Sequence, residues 1–485
     1  MVDLLCLQFR CRVGPRRECW SGANRVLATV LLALSLLPFP AFPAHAAQKV
    51  FPCIFDSEIE RLVSDYARPI FTAAGLDPKQ INICVANSTA YKAFVLRSGD
   101  LFLSKKAFLE FATANQVVGL IAHDLGHVLA GHNPKGREAL RVCLDSIFRG
   151  DSLEPSFLHC SEIWRSATVG PISLDLFGYH SAEEEQEADQ IAHSLLLAAK
   201  RSTRGLLDVF ERLGEQEYIK DPTIRDHLVG VHPATERRLK TLRELARGSP
   251  HFNEVDSFDK QLRHDLVRAK VVGLLEPRGL VLKRYPDIDQ SLVARYARAN
   301  TLLGSGYWQV PIELALSIQP EIEGLIREKS DHAYFWSLNA EILLRSGNAA
   351  QAIGVANKAL ALHGDGASIR LLLALSLIAS DDPWAAHKHI DDLMHAMSGR
   401  KLWRGPVFER LKSAHRRLAE KLEAGGRSAE ALLARAFEYS YSDDPKAAAV
   451  AEATAKSARA KLDRRSLAWQ LSDQLANATS SKKRP

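Results

Sequence analysis

The stretch that decides the reading runs from Ile121 to Asn133, IAHDLGHVLAGHN. His123 and His127 stand four residues apart, and the run leading into them, Val117 to Ala122, is apolar with Gly119 as its weak point. Such a run predicts a buried helix, on which residues four apart lie one above the other on the same face. Two imidazoles stacked this way can share one metal ion, and Asp124 projects beside them. Two ligands do not complete a site, so the rest of the chain is read for a third.

The third comes from SAEEEQEADQIAHSLLLAAK, Ser181 to Lys200. Ser181 is a good N-cap, acids fill the first turn where the helix dipole favours them, and Ala188, Ile191, Ala192, Leu195 and Leu196 form an apolar stripe. Glu185 and Asp189 are again four apart and share one side. Alone, a Glu-rich first turn reads as a solvated helix end; beside two histidines in need of a partner, Glu185 reads as the third ligand. His123, His127 and Glu185 with one position left for water is the pattern of a catalytic rather than a structural zinc site, so one Zn2+ per chain is expected. Asp189 is placed to accept the outer N–H of a ligand histidine and fix its tautomer.

Further on, His232 opens HPATERRLKTL, where Pro233 breaks the chain and Arg237 and Arg238 start a basic helix. A lone His before Pro reads most simply as a turn residue. Next to a metal, His232 and Arg238 are candidates to stabilise a tetrahedral oxyanion, or His232 to ligate zinc in a resting form. The other histidines read as bland. His132, five residues past His127, falls off the ligand face by helical angle, and His193, His180 and His227 are expected at the surface.

Upstream, FDSEIERLVSDYARPIFTAAG carries Phe55, Ile59, Leu62, Val63 and Tyr66 at helical spacing, with Asp56 or Ser57 as its cap. Two strand-like stretches follow, Ile81 to Asn87 and Ala93 to Ser104, the second with a turn signal at Ser98-Gly99-Asp100 that suggests a hairpin. A strand beside the metal helix can bind an extended peptide as one more strand. Between the two ligand helices, Pro134 to His180 has no clear period and is a candidate lid.

The first 46 residues read as an export signal. A basic region ends at Arg25, an apolar run follows from Val26 to Phe42, and Ala44-His45-Ala46 supplies a small-x-small cleavage pattern. A periplasmic or otherwise exported protein is therefore expected. Cys53, Cys84, Cys143 and Cys160 remain after it and permit three pairings. The least entangled joins Cys53 to Cys84 and Cys143 to Cys160, and buried free thiols are the alternative. The net charge is +6 over 485 residues, half of it in the export signal, too little to point to nucleic acid.

From Tyr296 to about Leu462 the chain is helical and Ala-rich. WSLNAEILLRSGNAAQAIGVANKALALHGDG places Ala340, Ala352 and Ala359 at the small positions of a tetratricopeptide-like helix pair with Gly347 in the turn. A 34-residue shift lands on Ala374 and Ala386, and a weaker copy spans Arg435 to Lys461. The expected organisation is an export signal at 1–46, an α+β domain at 47–248, a linker with connecting helices at 249–289, helical repeats at 290–475, and a disordered tail at 476–485. Stacked repeats bind protein partners on their curved surface.

Together these residues resemble the zinc metallopeptidases of the HtpX, CAAX prenyl protease and BepA group, whose pattern is HExxH, then SRxxExEAD, then HPxxxxR. This chain has HDLGH at His123–His127, SAEEEQEAD at Ser181–Asp189 and HPATERR at His232–Arg238. FVLRSGDLFLS is similar to the family's strand before the metal helix. The export signal and helical repeats point to the BepA-like periplasmic branch. The resemblance implies a mainly α protein with a zincin-like metallopeptidase domain, a zinc metalloendopeptidase acting on envelope or misfolded proteins. It also implies peripheral association with the outer-membrane assembly machinery.

Two positions depart from the pattern. Ala182 replaces an Arg, and Asp124 replaces the Glu that serves as general base. Asp keeps the carboxylate but sets it back by roughly an ångström, a displacement that can cost on the order of a hundredfold in rate. General-base assistance itself contributes about 10²–10⁴-fold. The alternative is therefore a catalytically impaired pseudo-peptidase acting as a periplasmic chaperone or assembly scaffold. AHDLGH also resembles HD-type phosphohydrolases, but those need an upstream histidine, and none lies between Ala47 and Ala122.

Overall fold

In the computed structural model the described residues are 53–78, 81–87, 93–95, 100–132, 180–217, 235–303, 312–397, 404–442 and 444–481. The expected export signal, Cys143, Cys160, His227, His232 and all of the candidate lid but His180 lie outside them.

The first helix, α1 (Ser57–Ala73), starts where Asp56 caps it: its Oδ1 accepts from the backbone N–H groups of Glu58 and Ile59 at 3.0 and 3.1 Å. Ile59, Leu62, Val63 and Tyr66 are buried, as their spacing predicts. Strands β1 (Ile83–Ala86), β2 (Ala93–Val95) and β3 (Leu101–Ser104) form a sheet in the order β1-β3-β2. β2 and β3 pair antiparallel, the two arms of the expected hairpin, while β1 runs parallel to β3. Among the described residues β2 pairs with β3 alone and is an edge of this sheet.

Alternation along the strands assigns each face to a different core. Ile83, Val85, Leu101 and Leu103 pack with α1 and the metal helix, whereas Cys84, Ala86 and Phe102 turn the other way. Cys53 is bonded to Cys84 on that second face, with Cα atoms 5.2 Å apart. This is one of the pairings the sequence leaves open.

A short helix, α2 (Lys105–Glu110), leads to α3 (Ala114–Leu129), the metal helix. Thr113 and Gln116 form a capping box at its start, and it is buried without interruption from Val117 to His127. Then come α4 (Ala182–Ala198), α5 (Arg204–Glu217) and α6 (Glu236–Gly248). The stretch expected as a linker with connecting helices packs into the core. It holds α7 (Phe258–Leu275) and α8 (Arg278–Arg284). Val267 and Val271 of α7 join the core of α1 and α3, while Leu266 joins a second cluster with Tyr296, Phe335 and Ile342. A helix apolar on two sides bridges two cores rather than spacing them.

The remainder is helical: α9 (Leu292–Leu303), α10 (Ile312–Glu328), α11 (Ala333–Arg345), α12 (Ala349–His363), α13 (Ala367–Ala379), α14 (Ala386–Ala396), α15 (Arg404–Ala424), α16 (Ser428–Ser440), α17 (Pro445–Arg459) and α18 (Leu467–Ser481). α11 and α12 make a hairpin around Gly347, whose φ of 83° no other residue type adopts readily. Ala340, Ala352, Ala359, Ala374 and Ala386 are all fully buried, as expected of small residues where helices approach closely. In the stretch expected as a weaker copy, Arg435–Lys461, the helix it opens on, α16, starts earlier, at Ser428. The tail expected to be disordered from 476 is helical to Ser481, because Ala476 packs against Ala436 and Ala455. Leu371, Ala374 and Leu375 of α13 cover the second face of the sheet. Among the described residues no helix is long and apolar enough to cross a membrane.

Candidate metal centre

Helices α3 and α4 cross closely because small residues meet at the crossing. A Cβ on Gly126 would stand 2.6 Å from the carbonyl oxygen of Ala188, and one on Gly119 would stand 2.6 Å from the backbone nitrogen of Leu206 in α5. The apparent weak point of the metal helix is thus what lets its neighbours reach it. At the N-terminus of α4, Glu184 closes a capping box with Ser181, accepting from its backbone N–H at 2.8 Å. That leaves Glu185, one position on, to turn inward, where it is fully buried.

The three expected ligands converge. His123 Nε2 and His127 Nε2 are 3.0 Å apart. Glu185 brings Oε2 to 3.4 Å from His123 Nε2 and Oε1 to 3.3 Å from His127 Nε2. Four donors around a tetrahedral zinc ion at about 2.0–2.1 Å lie roughly 3.3 Å from one another, so these atoms have the spacing of one face of such a tetrahedron. The donor set, two imidazoles and a carboxylate, is one zinc accepts. The phosphohydrolase alternative needs Asp124 as a ligand, whereas the group brought together is His123, His127 and Glu185.

Around the ligands, charge is arranged in pairs. Asp189 lies with Oδ1 3.0 Å from His123 Nδ1, on the side of the ring away from Glu185. Arg238, at the start of α6, donates from Nε and Nη2 to the two oxygens of Asp189 at 2.7 and 2.9 Å, and its Nη1 lies 2.6 Å from Glu185 Oε2. Its guanidinium also sits 3.8 Å above the ring of Phe210 in α5, and that ring meets His123 edge-on at 4.8 Å. Burial alone would lower the basicity of His123, but the hydrogen bonds and charges of Asp189 and Glu185 outweigh it and raise its pKa from 6.5 to about 9. Burial would raise Asp189, yet the charge and hydrogen bonds of Arg238, then His123, hold it below the ordinary carboxylate value. With His123 neutral, as a metal ligand must be, two buried carboxylates against one guanidinium leave a net negative charge that a divalent cation complements.

Asp189 thus stands where the spacing placed it. Arg238 does not stand as an oxyanion donor: its guanidinium is committed to Asp189 and Glu185, which makes it a positioning residue. Asp124 is 5% exposed on α3, next to His123. His193 is half-buried rather than at the surface, with Nδ1 2.9 Å from Thr203 Oγ1. His132 and His180 correct the reading most. Both are buried, His132 Nδ1 lies 2.9 Å from His127 Nδ1, and the ring of His180 stacks on that of His127 at 3.9 Å. The helical angle fails for His132 because the helix has already ended. The N–H of Gly131 bonds to Val128 O and that of His132 to His127 O, with Gly131 at φ 77°. This Schellman turn folds His132 back over His127. The signal for it was Gly131 itself, a glycine just past a periodic run.

Residues 56–246 match the model of peptidase family M48. This stretch is a peptidase family M48 domain. The chain is also similar to the metalloprotease LoiP of Escherichia coli (strain K12), 25% identical over 195 residues, which are 37% of this chain and 71% of that protein. A second relative is the metalloprotease YcaL of the same organism, 24% identical over 136 residues, 28% of this chain and 51% of that protein. The M48 domain spans α1 to α6 and contains the ligand set, Asp124, Asp189 and Arg238. The helices from α7 onward lie beyond the match.

Proposed function

We propose that this protein is an exported, zinc-dependent metalloendopeptidase that acts on envelope or misfolded proteins. The observation that carries the reading is the mutual spacing of His123 Nε2, His127 Nε2 and the Glu185 carboxylate inside an M48 domain. Zinc held there supplies a polarised carbonyl and a bound water whose pKa falls toward about 7. The chain's own residues do the rest. Asp189 accepts from His123 Nδ1 and so turns the Nε2 lone pair to the ion, and Arg238 holds Asp189 and Glu185 in register. Asp124 takes the proton of the attacking water on an arm one methylene shorter than glutamate's. His232 remains the candidate for the oxyanion or for a resting-state ligand. Strand β2, beside α3 and an edge among the described residues, is where an extended peptide would add as one more strand, which suits an unfolded substrate.

Support for export comes from the first 46 residues and from the Cys53–Cys84 disulfide, a bond that persists in oxidising compartments. The tetratricopeptide-like helices are read as the partner-binding part, with the outer-membrane assembly machinery as the BepA-like expectation. Asp124 favours a second reading, a zinc-binding pseudo-peptidase that acts as a chaperone or scaffold. Cleavage of an unfolded protein by the native chain and by Asp124→Glu separates the two. Turnover by the native chain, raised on the order of tenfold to a hundredfold in Asp124→Glu, supports the peptidase. No cleavage by the native chain, with activity appearing in Asp124→Glu, supports the scaffold.

A further inference from the structure

We propose that His132 is a positioning residue of the metal centre, which together with Glu187 fixes His127 in the tautomer that turns its Nε2 lone pair to the ion. The inference rests on the metal-centre reading above and extends it to the second histidine ligand.

The two ligand histidines are held differently. His123 turns Nε2 to the centre and Nδ1 to Asp189 at 3.0 Å. His127 turns Nε2 to the centre as well, but its Nδ1 faces the Nδ1 of another imidazole, His132, at 2.9 Å. That separation is a hydrogen bond, and one of the two nitrogens must carry the proton. The other end of His132 decides which. Its Nε2 lies 3.2 Å from Glu187 Oε2, and an ionised carboxylate only accepts. As a neutral ring His132 then carries its one proton on Nε2 and presents Nδ1 as an acceptor. His127 must then donate from Nδ1, and its Nε2 lone pair is left for the cation. The chain Glu187–His132–His127 does for one ligand what Asp189 does for the other, with a neutral imidazole interposed.

Local structure makes the arrangement specific. The Schellman turn at Gly131 closes through the His132 N–H to His127 O bond of 2.9 Å, so the same turn that ends α3 brings the two rings together. His180 covers the face of His127 with its ring inclined by 25°. The rival assignment is a second cation held by His127, His132 and His180, whose nitrogens are also close enough to share one. That would require His127 to give both nitrogens to cations and to lose both protons, whereas the hydrogen-bonded chain requires one ordinary tautomer per ring.

The test measures zinc stoichiometry and affinity, by competition with a chromophoric chelator, on the full chain and on His132→Ala, His132→Asn and Glu187→Ala. The side-chain oxygen of asparagine can stand where Nδ1 of histidine stands and accept the same proton. Expected are one zinc per native chain, an affinity lowered about tenfold to a hundredfold in His132→Ala, and recovery of most of that loss in His132→Asn. A smaller loss is expected in Glu187→Ala, because that carboxylate is 59% exposed. An asparagine variant as weak as the alanine variant would overturn the acceptor role. Native affinity in His132→Ala would overturn the proposal and leave the metal centre standing. Two zinc ions per native chain, one of them lost in His132→Ala, would replace it with the rival site. No zinc in the native chain would bring down the metal centre and the proposal together.

Discussion

At the centre of the site, Arg238 spends its guanidinium on Asp189 and Glu185 and rests on the ring of Phe210. A buried cation with two carboxylate partners is costly to separate from either, so the orientation of His123 is set by a network rather than by one bond. Asp189→Asn keeps the shape but weakens both the acceptor for His123 and the partner for Arg238. The expected result is a zinc affinity lower by about tenfold to a hundredfold, read by chelator competition. The sequence made these residues legible unevenly. Glu185 and Asp189 could be read because they repeat the four-residue spacing of the histidines and because two imidazoles call for a carboxylate. Phe210 could not, since an aromatic on an amphipathic helix has the same pattern whether it packs on a core or on a metal ligand. Arg238 could be placed near the site but not assigned its partner, because a sequence does not show which carboxylate a guanidinium will face.

The element that matters most is the crossing of α3 and α4, where Gly126 meets Ala188. Adding a methyl group at Gly126 forces the helices apart by backbone contact that cannot move aside. Gly126→Ala is expected to lower stability by about 1–3 kcal/mol in chemical denaturation and to weaken zinc binding, because Glu185 rides on the helix that is displaced. Retention of native zinc affinity in that variant would show that the crossing does not set the ligand distance. Helix α3 was readable from its apolar run and paired histidines, and the sheet from its alternation. The end of α3 was missed because a continuous helical period was carried through Gly131, where the chain in fact reverses. Between residues 249 and 289 the connecting helices are legible but their packing is not, because helix α7 is apolar on opposite faces, which blurs the one-sided stripe that marks a surface helix.

On the scale of the whole molecule, the helices beyond the M48 domain are not a detached appendage. They cover one face of its sheet and seat the start of α1. Ser57 and Ser368 exchange backbone-to-side-chain hydrogen bonds, and Glu58 lies buried among Lys270 at 3.1 Å, His332 at 3.0 Å and the Tyr296 hydroxyl at 2.7 Å. None of this is legible in the sequence, because it depends on which surface of the C-terminal helices meets the sheet. Burial would raise the pKa of Glu58, but Lys270, His332 and Tyr296 overcome it and lower the pKa from 4.5 to about 2. A carboxylate with a depressed folded-state pKa stabilises above its unfolded pKa and loses that contribution as pH falls toward the folded value. The native chain is therefore expected to be more stable than Glu58→Gln by a few kcal/mol at neutral pH, with the difference shrinking between about pH 4.5 and 2 in parallel thermal melts. A constant difference across that range would count against the ionised role of Glu58. One ion gripped by two helices is what holds the site together, and zinc content of the purified chain beside Glu185→Ala tests that most directly. One zinc per native chain and its loss from the variant is the predicted result; equal zinc in both would contradict it.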